Sequence, residues 1–130
     1  MKPETEQYIA YAQKLLADAR LMIDTGLQDH AARTAYLACF HIARAYTFER
    51  TGHSAKTHRG VQTEFFRLSK DDPRSDPELR AFLTTAYHYK SSSDYETRPE
   101  DNPTPEEARE AVETAARFVV EFVRLTPGGP

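Results

Sequence analysis

The sequence has one cysteine, no tryptophan and no long run of apolar residues. The lone cysteine, Cys39, excludes a disulfide within the chain and a zinc site built on cysteines, and it suits a reducing compartment. No apolar stretch approaches the roughly 20 residues that a membrane helix needs, and the start, Met1–Glu6, is too polar for a signal peptide. These absences predict a soluble, cytoplasmic protein without a membrane segment.

Several motifs of enzymes and cofactor-binding folds are also missing. The chain has no glycine-rich phosphate loop, no nucleophile elbow, and no serine or cysteine set beside a histidine and an acid at a telling spacing. His53 and His58 stand five apart without a carboxylate at ligand spacing, so we expect no metal site. Nothing in the sequence indicates a cofactor.

Length and charge narrow the remaining possibilities. A chain of 130 residues and 14.8 kDa fits one domain, which we place at residues 1–126 with a flexible tail at 127–130. The formal net charge of -3 and the pI of about 5.9 argue against a strongly electropositive body. Any RNA binding must therefore use a local patch or a partner.

Apolar residues recur at steps of three and four in the first half of the chain, which predicts helices. The first helix spans Glu4–Thr25 and the second spans about Asp29–Arg50, and each is followed by a glycine that supplies a stop. The apolar face assigned to the first helix consists of Tyr8, Tyr11, Ala12, Leu15, Ala19, Met22 and Ile23. A shorter helix follows the capping residue Thr57.

Two further helices are predicted in the second half. One begins at Asp76 and Pro77 and runs toward the triplet Ser91–Ser93, where serine favours a helix end without forcing one. The other begins at the capping box of Thr104–Glu107 and carries an apolar face as far as Leu125. No convincing strand pattern is present. The predicted fold is all-α, an antiparallel up-and-down bundle of four long helices plus one short helix.

The polar and aromatic run Tyr87–Tyr95, at the end of the fourth helix, is the most unusual segment. An apolar stripe precedes it, made up of Leu79, Phe82, Leu83 and Ala86. Lys90 lands almost in line with this stripe, and Asp94 follows one turn later on much the same side. His88 and Tyr95 share the opposite side if the helix persists that far. Any chemical or binding site of this chain is expected here.

Four parts of the sequence together resemble the HEPN family (higher eukaryotes and prokaryotes nucleotide-binding domain). Ala32–Ala45 is similar to the signature helix of the family, and Thr57–Val61 followed by Phe65 is similar to its S/T-H-x-G-V...F segment. Lys90 through Asp94–Tyr95 is similar to its R-x-x-x-D-Y ending. The capped last helix agrees as well, so the resemblance covers nearly the whole chain.

The resemblance implies an up-and-down helical bundle that pairs as a homodimer and is often encoded beside a minimal nucleotidyltransferase in toxin–antitoxin arrangements. It also implies a possible ribonuclease, because active members carry an arginine followed after about four to six residues by a histidine and cut RNA without metal. The matching positions here are Lys90 and Tyr95. Lysine lacks the planar fork of arginine, and tyrosine, with an ordinary pKa near 10, is a poor general base at neutral pH.

Three functions therefore stay open. The leading hypothesis is a HEPN-type module that binds RNA or nucleotide, or is controlled by a nucleotidyltransferase partner, with a degenerate ribonuclease motif. The second is an active metal-independent endoribonuclease toxin, in which Lys90 stabilises phosphate charge and His88 or His58 acts as acid or base. The third is a purely structural protein-interaction module.

The candidate residues follow from these hypotheses. The candidate catalytic residues are Lys90, Tyr95 and His88. The candidate residues for binding RNA or nucleotide are Lys90, Asp94, Tyr95, His58 and Arg59. His58 and Arg59 begin the short helix, where free N–H groups favour an anion, although His58 is alternatively expected to pack against a neighbouring helix. For Lys90 and Asp94 the alternative is a surface i,i+4 pair contributing roughly 0.2–0.5 kcal/mol.

Overall fold

The computed structural model of the chain describes residues 1–95, 100 and 102–128. Within these residues the secondary structure is helical throughout, without a strand, which confirms the all-α bundle. Six α-helices are present: α1 Pro3–Asp24, α2 Gln28–Thr51, α3 His58–Ser69, α4 Pro77–Thr85, α5 Tyr87–Tyr95 and α6 Pro105–Leu125. A short 3-10 helix, Thr126–Gly128, follows α6.

Local signals fix where the helices begin. The Thr104 hydroxyl accepts a hydrogen bond from the Glu107 N–H at 3.1 Å, and the Glu107 carboxylate accepts one from the Thr104 N–H at 2.9 Å. This reciprocal pair is the predicted capping box, and it satisfies two N–H groups that a helix start leaves without partners. Thr57 and Asp76 cap α3 and α4 with a single hydrogen bond each, which the side chain accepts from a backbone N–H of the first turn. All three predicted starts are confirmed.

The fourth predicted helix is two helices, because α4 and α5 are separated by Ala86. The Ala86 N–H still donates to the Phe82 carbonyl at 2.8 Å, but the Tyr89 N–H donates to the Ala86 carbonyl at 3.0 Å, three residues back. Such a bond tightens the turn to the 3-10 type and interrupts the α-helix there. The backbone is helical through Ser91–Ser93, where the Ser91 hydroxyl donates to the His88 carbonyl at 3.2 Å. The interruption therefore lies before the aromatic and polar run instead of inside it.

Helix α2 is the centre of the bundle and packs against α1, α3, α5 and α6. Small residues let its neighbours approach closely, and the ones that are fully buried are Ala31, Ala32, Ala35, Ala38, Cys39, Ala43 and Ala45. Cys39 is thus the small buried hydrophobe that its position suggests. None of the helices in the described residues is long and apolar enough to cross a membrane.

Four aromatic side chains from three helices form the deepest part of the core. They are Tyr46, Phe65, Phe118 and Phe122, each 1% exposed or less. Phe118 and Phe122 lie 4.6 Å apart between ring centroids, and Phe65 meets Phe122 edge-on at 5.0 Å. We call these four side chains the aromatic core.

Candidate functional site

Helix α5 has two chemically different sides. Tyr89 borders a cleft of about 260 Å³ whose lining residues are Phe82, Tyr89, Glu107, Glu110, Ala111 and Thr114. Burial and the charges of Glu107 and Glu110 raise the pKa of Tyr89. Two carboxylates make this side unfavourable for phosphate, because like charges repel in a partly dry cleft.

The other side of α5 carries Tyr87 and faces the N-terminus of α3. The rings of Tyr87 and His58 are stacked at a centroid distance of 5.5 Å and an angle of 22°. Lys90 is half-buried and follows Tyr87 by three positions, so it lies within about 60° of Tyr87 around the helix axis. Arg59 is the exposed neighbour of His58 in the first turn of α3. The contact between Tyr87 and His58 thus joins the start of α3, which carries His58 and Arg59, to the helix that carries Lys90.

His88 is separated from Lys90 around the axis of α5. It is exposed on α5. Around the helix axis, position 88 is rotated by about 100° from position 87 and by about 160° from position 90. The Ser92 hydroxyl lies 3.2 Å from His88 Nδ1. Within one chain, His88 and Lys90 therefore do not project onto the same face of α5.

Asp94 and Tyr95 complete the predicted set. Their backbone belongs to α5, but their side chains lie outside the part of the chain that the structure describes. Along a continuous α5, positions 90 and 95 project about 140° apart, with position 87 between them.

His58 packs among aromatic rings of α2 and α5. It stacks on Phe40 with a centroid distance of 4.1 Å, and on Tyr36 at 5.7 Å. His58 therefore packs against neighbouring helices, which is the alternative expected for it from the sequence. This packing holds the α3 N-terminus against α2 and α5.

A chain of hydrogen bonds connects the His58 ring to Tyr36 and Gln62. The Gln62 amide donates to the Tyr36 hydroxyl at 3.2 Å, and that hydroxyl lies 2.8 Å from His58 Nδ1. The Tyr36 hydroxyl thus links the Gln62 amide on α3 to the His58 ring at the start of the same helix. Burial raises the pKa of Tyr36, so the phenol stays a donor at every ordinary pH.

The rings continue from His58 across α2 to α1. Phe40 meets His41 edge-on at 5.1 Å, and His41 meets Tyr11 edge-on at 4.8 Å. We call this line of side chains the ring row; in order it consists of Tyr87, His58, Phe40, His41 and Tyr11. Burial, followed by the charges of Arg44 and His58, lowers the pKa of His41 to about 4, so this imidazole is neutral at pH 7.

The ring row shows what reasoning from sequence missed. The periodicity places Tyr11 among the apolar residues of the first helix, but 48% of Tyr11 is exposed, so it does not belong to the buried face. Tyr87 and Phe40 hold His58; Tyr87 belongs to the run in which a site is expected, whereas no motif indicates Phe40 as a site residue. The available signal was the spacing of Tyr36, Phe40 and Arg44, which places an aromatic-to-basic line along one face of α2. In the described residues no group of three or more metal-ligating side chains comes together.

Comparison with known proteins agrees with this architecture over most of the chain. The profile of the HEPN domain matches residues 5–125. The chain belongs to the HEPN family. It is also 34% identical over 92 residues to a UPF0332 protein from Archaeoglobus fulgidus, a match that covers 71% of this chain and 72% of the relative. The HEPN match spans both α5 and the N-terminus of α3, so both sides of the contact between Tyr87 and His58 belong to the domain.

Proposed function

We propose that this HEPN protein binds RNA or nucleotide as a homodimer, in a toxin–antitoxin-like system with a nucleotidyltransferase partner, and that its ribonuclease motif is degenerate. The observation that carries the proposal is the stacking of Tyr87 on His58, which joins α5 to the N-terminus of α3. The proposed binding surface takes in Lys90, His58 and Arg59 and lies on the Tyr87 side of α5, apart from the cleft of Glu107 and Glu110.

Each of these residues has a role in binding. The ammonium of Lys90 and the guanidinium of Arg59 attract phosphate, and the free N–H groups of the α3 start add a partial positive charge. The His58 imidazole lies at that helix start and contributes to the same phosphate site. Asp94 and Tyr95 contribute to the RNA surface at the end of α5, where a tyrosine ring offers a base a face to stack on.

The degenerate motif is argued from chemistry and from helix geometry. Lys90 and Tyr95 stand at the positions of the arginine and histidine of active members, and neither replaces the original function fully. Positions 90 and 95 project about 140° apart around the α5 axis, which favours a site built from two copies over one built from a single chain. We propose that two copies pair near α5, so that Lys90 of one copy and Tyr95 of the other border the same groove.

Binding is tested by fluorescence anisotropy with a labelled single-stranded oligoadenylate at low and rising salt. The wild type should bind, and its affinity should fall as salt rises, because phosphate contacts release counterions. Lys90→Ala should weaken binding and reduce the salt slope by about one. Lys70→Ala removes the same charge at the exposed far end of α3 and is the matched control. No binding by the wild type at low salt would rule the proposal out.

Cleavage is tested separately with single-stranded RNA in EDTA. The wild type should leave the RNA whole, whereas the double variant Lys90→Arg with Tyr95→His should gain cleavage because it restores the arginine fork and a base near neutral pKa. Cleavage by the wild type that disappears in Lys90→Ala would instead favour the active ribonuclease.

Two further measurements test the assembly. Light scattering at micromolar protein should give the mass of a dimer, and a monomer mass would count against a groove shared by two copies. Co-expression with a nucleotidyltransferase encoded beside this gene, followed by affinity capture, should recover both proteins in one complex. Recovery of the HEPN protein alone would remove that partner from the proposal.

A further inference from the structure

Arg44, one turn beyond Phe40 on α2, is a half-buried guanidinium whose partners are all neutral. Its Nε–H donates to the Ser54 hydroxyl at 3.0 Å, and its Nη2 donates to the Tyr8 hydroxyl at 3.1 Å. Its Nη1 lies 3.4 Å from His41 Nδ1. The guanidinium also lies over the Tyr8 ring, 4.3 Å from the centroid. These contacts orient the side chain but do not neutralise its charge.

Arg50 on the same helix shows the contrast. Its guanidinium donates to the carbonyls of Tyr46, Leu125 and Thr126, two of which lie at the C-terminal end of α6. Carbonyls at a helix end carry partial negative charge, so the charge of Arg50 is balanced by the fold. Arg44 has two hydroxyls and an imidazole instead. Within the described residues no carboxylate lies at salt-bridge distance from it.

The donors of Arg44 also exceed its partners. A guanidinium has five N–H groups, and the three contacts use three of them. A buried or half-buried cation without a counter-charge is costly, and an anionic ligand lowers that cost. Planar, paired N–H donors match the oxygens of a phosphate.

The neighbours of Arg44 supply a further N–H donor and an aromatic ring, which a nucleotide can use beside a phosphate site. Because Arg44 donates toward His41 Nδ1, the neutral imidazole carries its proton on Nε2, which gives a second donor. The rings of Tyr11 and His41 meet at an angle of 68°, and nearly half of Tyr11 is exposed, so its ring is accessible to a base. Stacking on an aromatic ring accepts any base because every base has a π-face.

We propose that Arg44, His41 and Tyr11 form a second subsite at the α1 end of the ring row, which binds a phosphate together with the base attached to it. The ligand is a nucleotide unit, either free or part of a single strand of RNA. The choice of RNA rests on the proposed function. The subsite is distinct from the candidate residues of α5, and the rings of Phe40, His58 and Tyr87 lie between the subsite and that helix. A strand that occupies both would follow the ring row across α2.

The experiment uses fluorescently labelled oligoadenylate and, in a second arm, unlabelled AMP followed by the imidazole NMR signal of His41. Tyr11→Ala should weaken binding by about ten-fold through loss of stacking, whereas Tyr11→Phe, which keeps the ring, should bind as the wild type does. Arg44→Lys keeps the charge but loses the fork and should also weaken binding. Arg20→Gln, which removes an exposed arginine elsewhere on α1, is the charge-matched control and should have little effect.

The outcomes separate this subsite from the proposed function. Weaker binding in Tyr11→Ala supports it, and the AMP arm assigns the ligand: a shift of the His41 signal at low AMP indicates a free nucleotide, and a response to the oligonucleotide alone indicates RNA. Loss in Lys90→Ala with wild-type binding in both Tyr11→Ala and Arg44→Lys overturns the subsite and leaves the proposed function standing. No response to either probe by the wild type overturns both. Tyr11→Ala removes an exposed ring, so the test stands even if replacing Arg44 weakens the fold.

Discussion

The aromatic core and the ring row are built from similar side chains and differ in what surrounds them. The aromatic core lies at the meeting point of α2, α3 and α6, its four members are buried, and three of them are hydrocarbon rings. The ring row lies across α2 toward α1 and α5, contains two histidines, and has an exposed tyrosine at one end. The aromatic core excludes water, whereas the ring row leaves polar atoms within reach of water.

The difference separates stability from function. Apolar burial contributes roughly 25 cal/mol per Å² wherever it occurs, so the aromatic core needs no particular chemistry beyond shape and volume. Histidine in a half-buried row contributes less by burial, because its nitrogens must be hydrogen-bonded or exposed. Under the proposed function, the donors and flat rings of the ring row near the surface are the groups that a nucleic acid would contact.

The largest effect should follow from opening the aromatic core. Phe118→Ala removes a fully buried ring that contacts Phe65 and Phe122, so we expect the free energy of unfolding to fall by about 3–5 kcal/mol. Tyr87→Ala in the ring row, where the side chain is only half-buried, should cost clearly less. Urea denaturation measures both. Val120→Ala, at a position that is 71% exposed, should change stability by less than about 0.5 kcal/mol. Equal losses for Phe118 and Tyr87 would mean that the ring row is as structural as the core.

The next effect is a pH dependence of the free energy of unfolding that arises from His41 in the ring row. The pKa of His41 is lowered from 6.5 to about 4 in the folded chain, so folding favours the neutral ring and protonation favours the unfolded chain. The stabilisation is complete above pH 6.5 and is lost as the pH falls toward 4. Between pH 7 and 5 we expect the free energy of unfolding to fall by about 1–2 kcal/mol.

The control for this dependence replaces histidines one at a time. His41→Gln should flatten the slope between pH 7 and 5, measured by urea denaturation at each pH, and His53→Gln, in an exposed loop, should not. Asp72, whose pKa is lowered to about 2 chiefly by its hydrogen bond from Arg74, contributes at lower pH only. An unchanged slope in His41→Gln would show that the ring does not stay neutral in the fold.

The two clusters also differ in how far the sequence predicts them. Helix starts depend on residues a few positions apart, so the capping box of Thr104–Glu107 could be predicted directly, and the apolar face of the last helix carries Phe118 and Phe122 into the core. The ring row joins side chains from four helices, and no local pattern places Tyr87 on His58. The interruption at Ala86 was likewise missed, because every residue from Leu83 to Tyr89 is compatible with an ordinary helix. The roles of Asp94 and Tyr95 in a site remain a prediction, because their side chains lie outside the described part of the chain.

A smaller effect should come from the hydroxyl of Tyr36. Tyr36→Phe keeps the buried ring but leaves His58 Nδ1 and the Gln62 amide without the partner between them, so we expect a loss of about 1–2 kcal/mol. Denaturation gives the loss, and the imidazole NMR signal of His58 should move as the ring loses its contact with the Tyr36 hydroxyl. Tyr11→Phe removes an exposed hydroxyl and should cost less than about 0.5 kcal/mol. Equal costs in the two variants would argue that the hydrogen-bond chain through Tyr36 does not hold His58.

The smallest effect concerns the two threonine caps, one on each side of the comparison. Thr57 accepts one bond from the Gly60 N–H at 2.9 Å at the start of α3, next to His58, whereas Thr104 takes part in a reciprocal pair at the start of α6. Each Thr→Ala change should cost about 0.5–1 kcal/mol, with Thr104 at the upper end. RNA affinity should nevertheless fall only in Thr57→Ala, because that cap holds the α3 N-terminus and His58 against Tyr87. Thr57→Ser and Thr104→Ser keep the hydroxyl and serve as controls. If Thr104→Ala weakened RNA binding as much as Thr57→Ala, the loss would reflect general stability, and the α3 N-terminus would have no special part in binding.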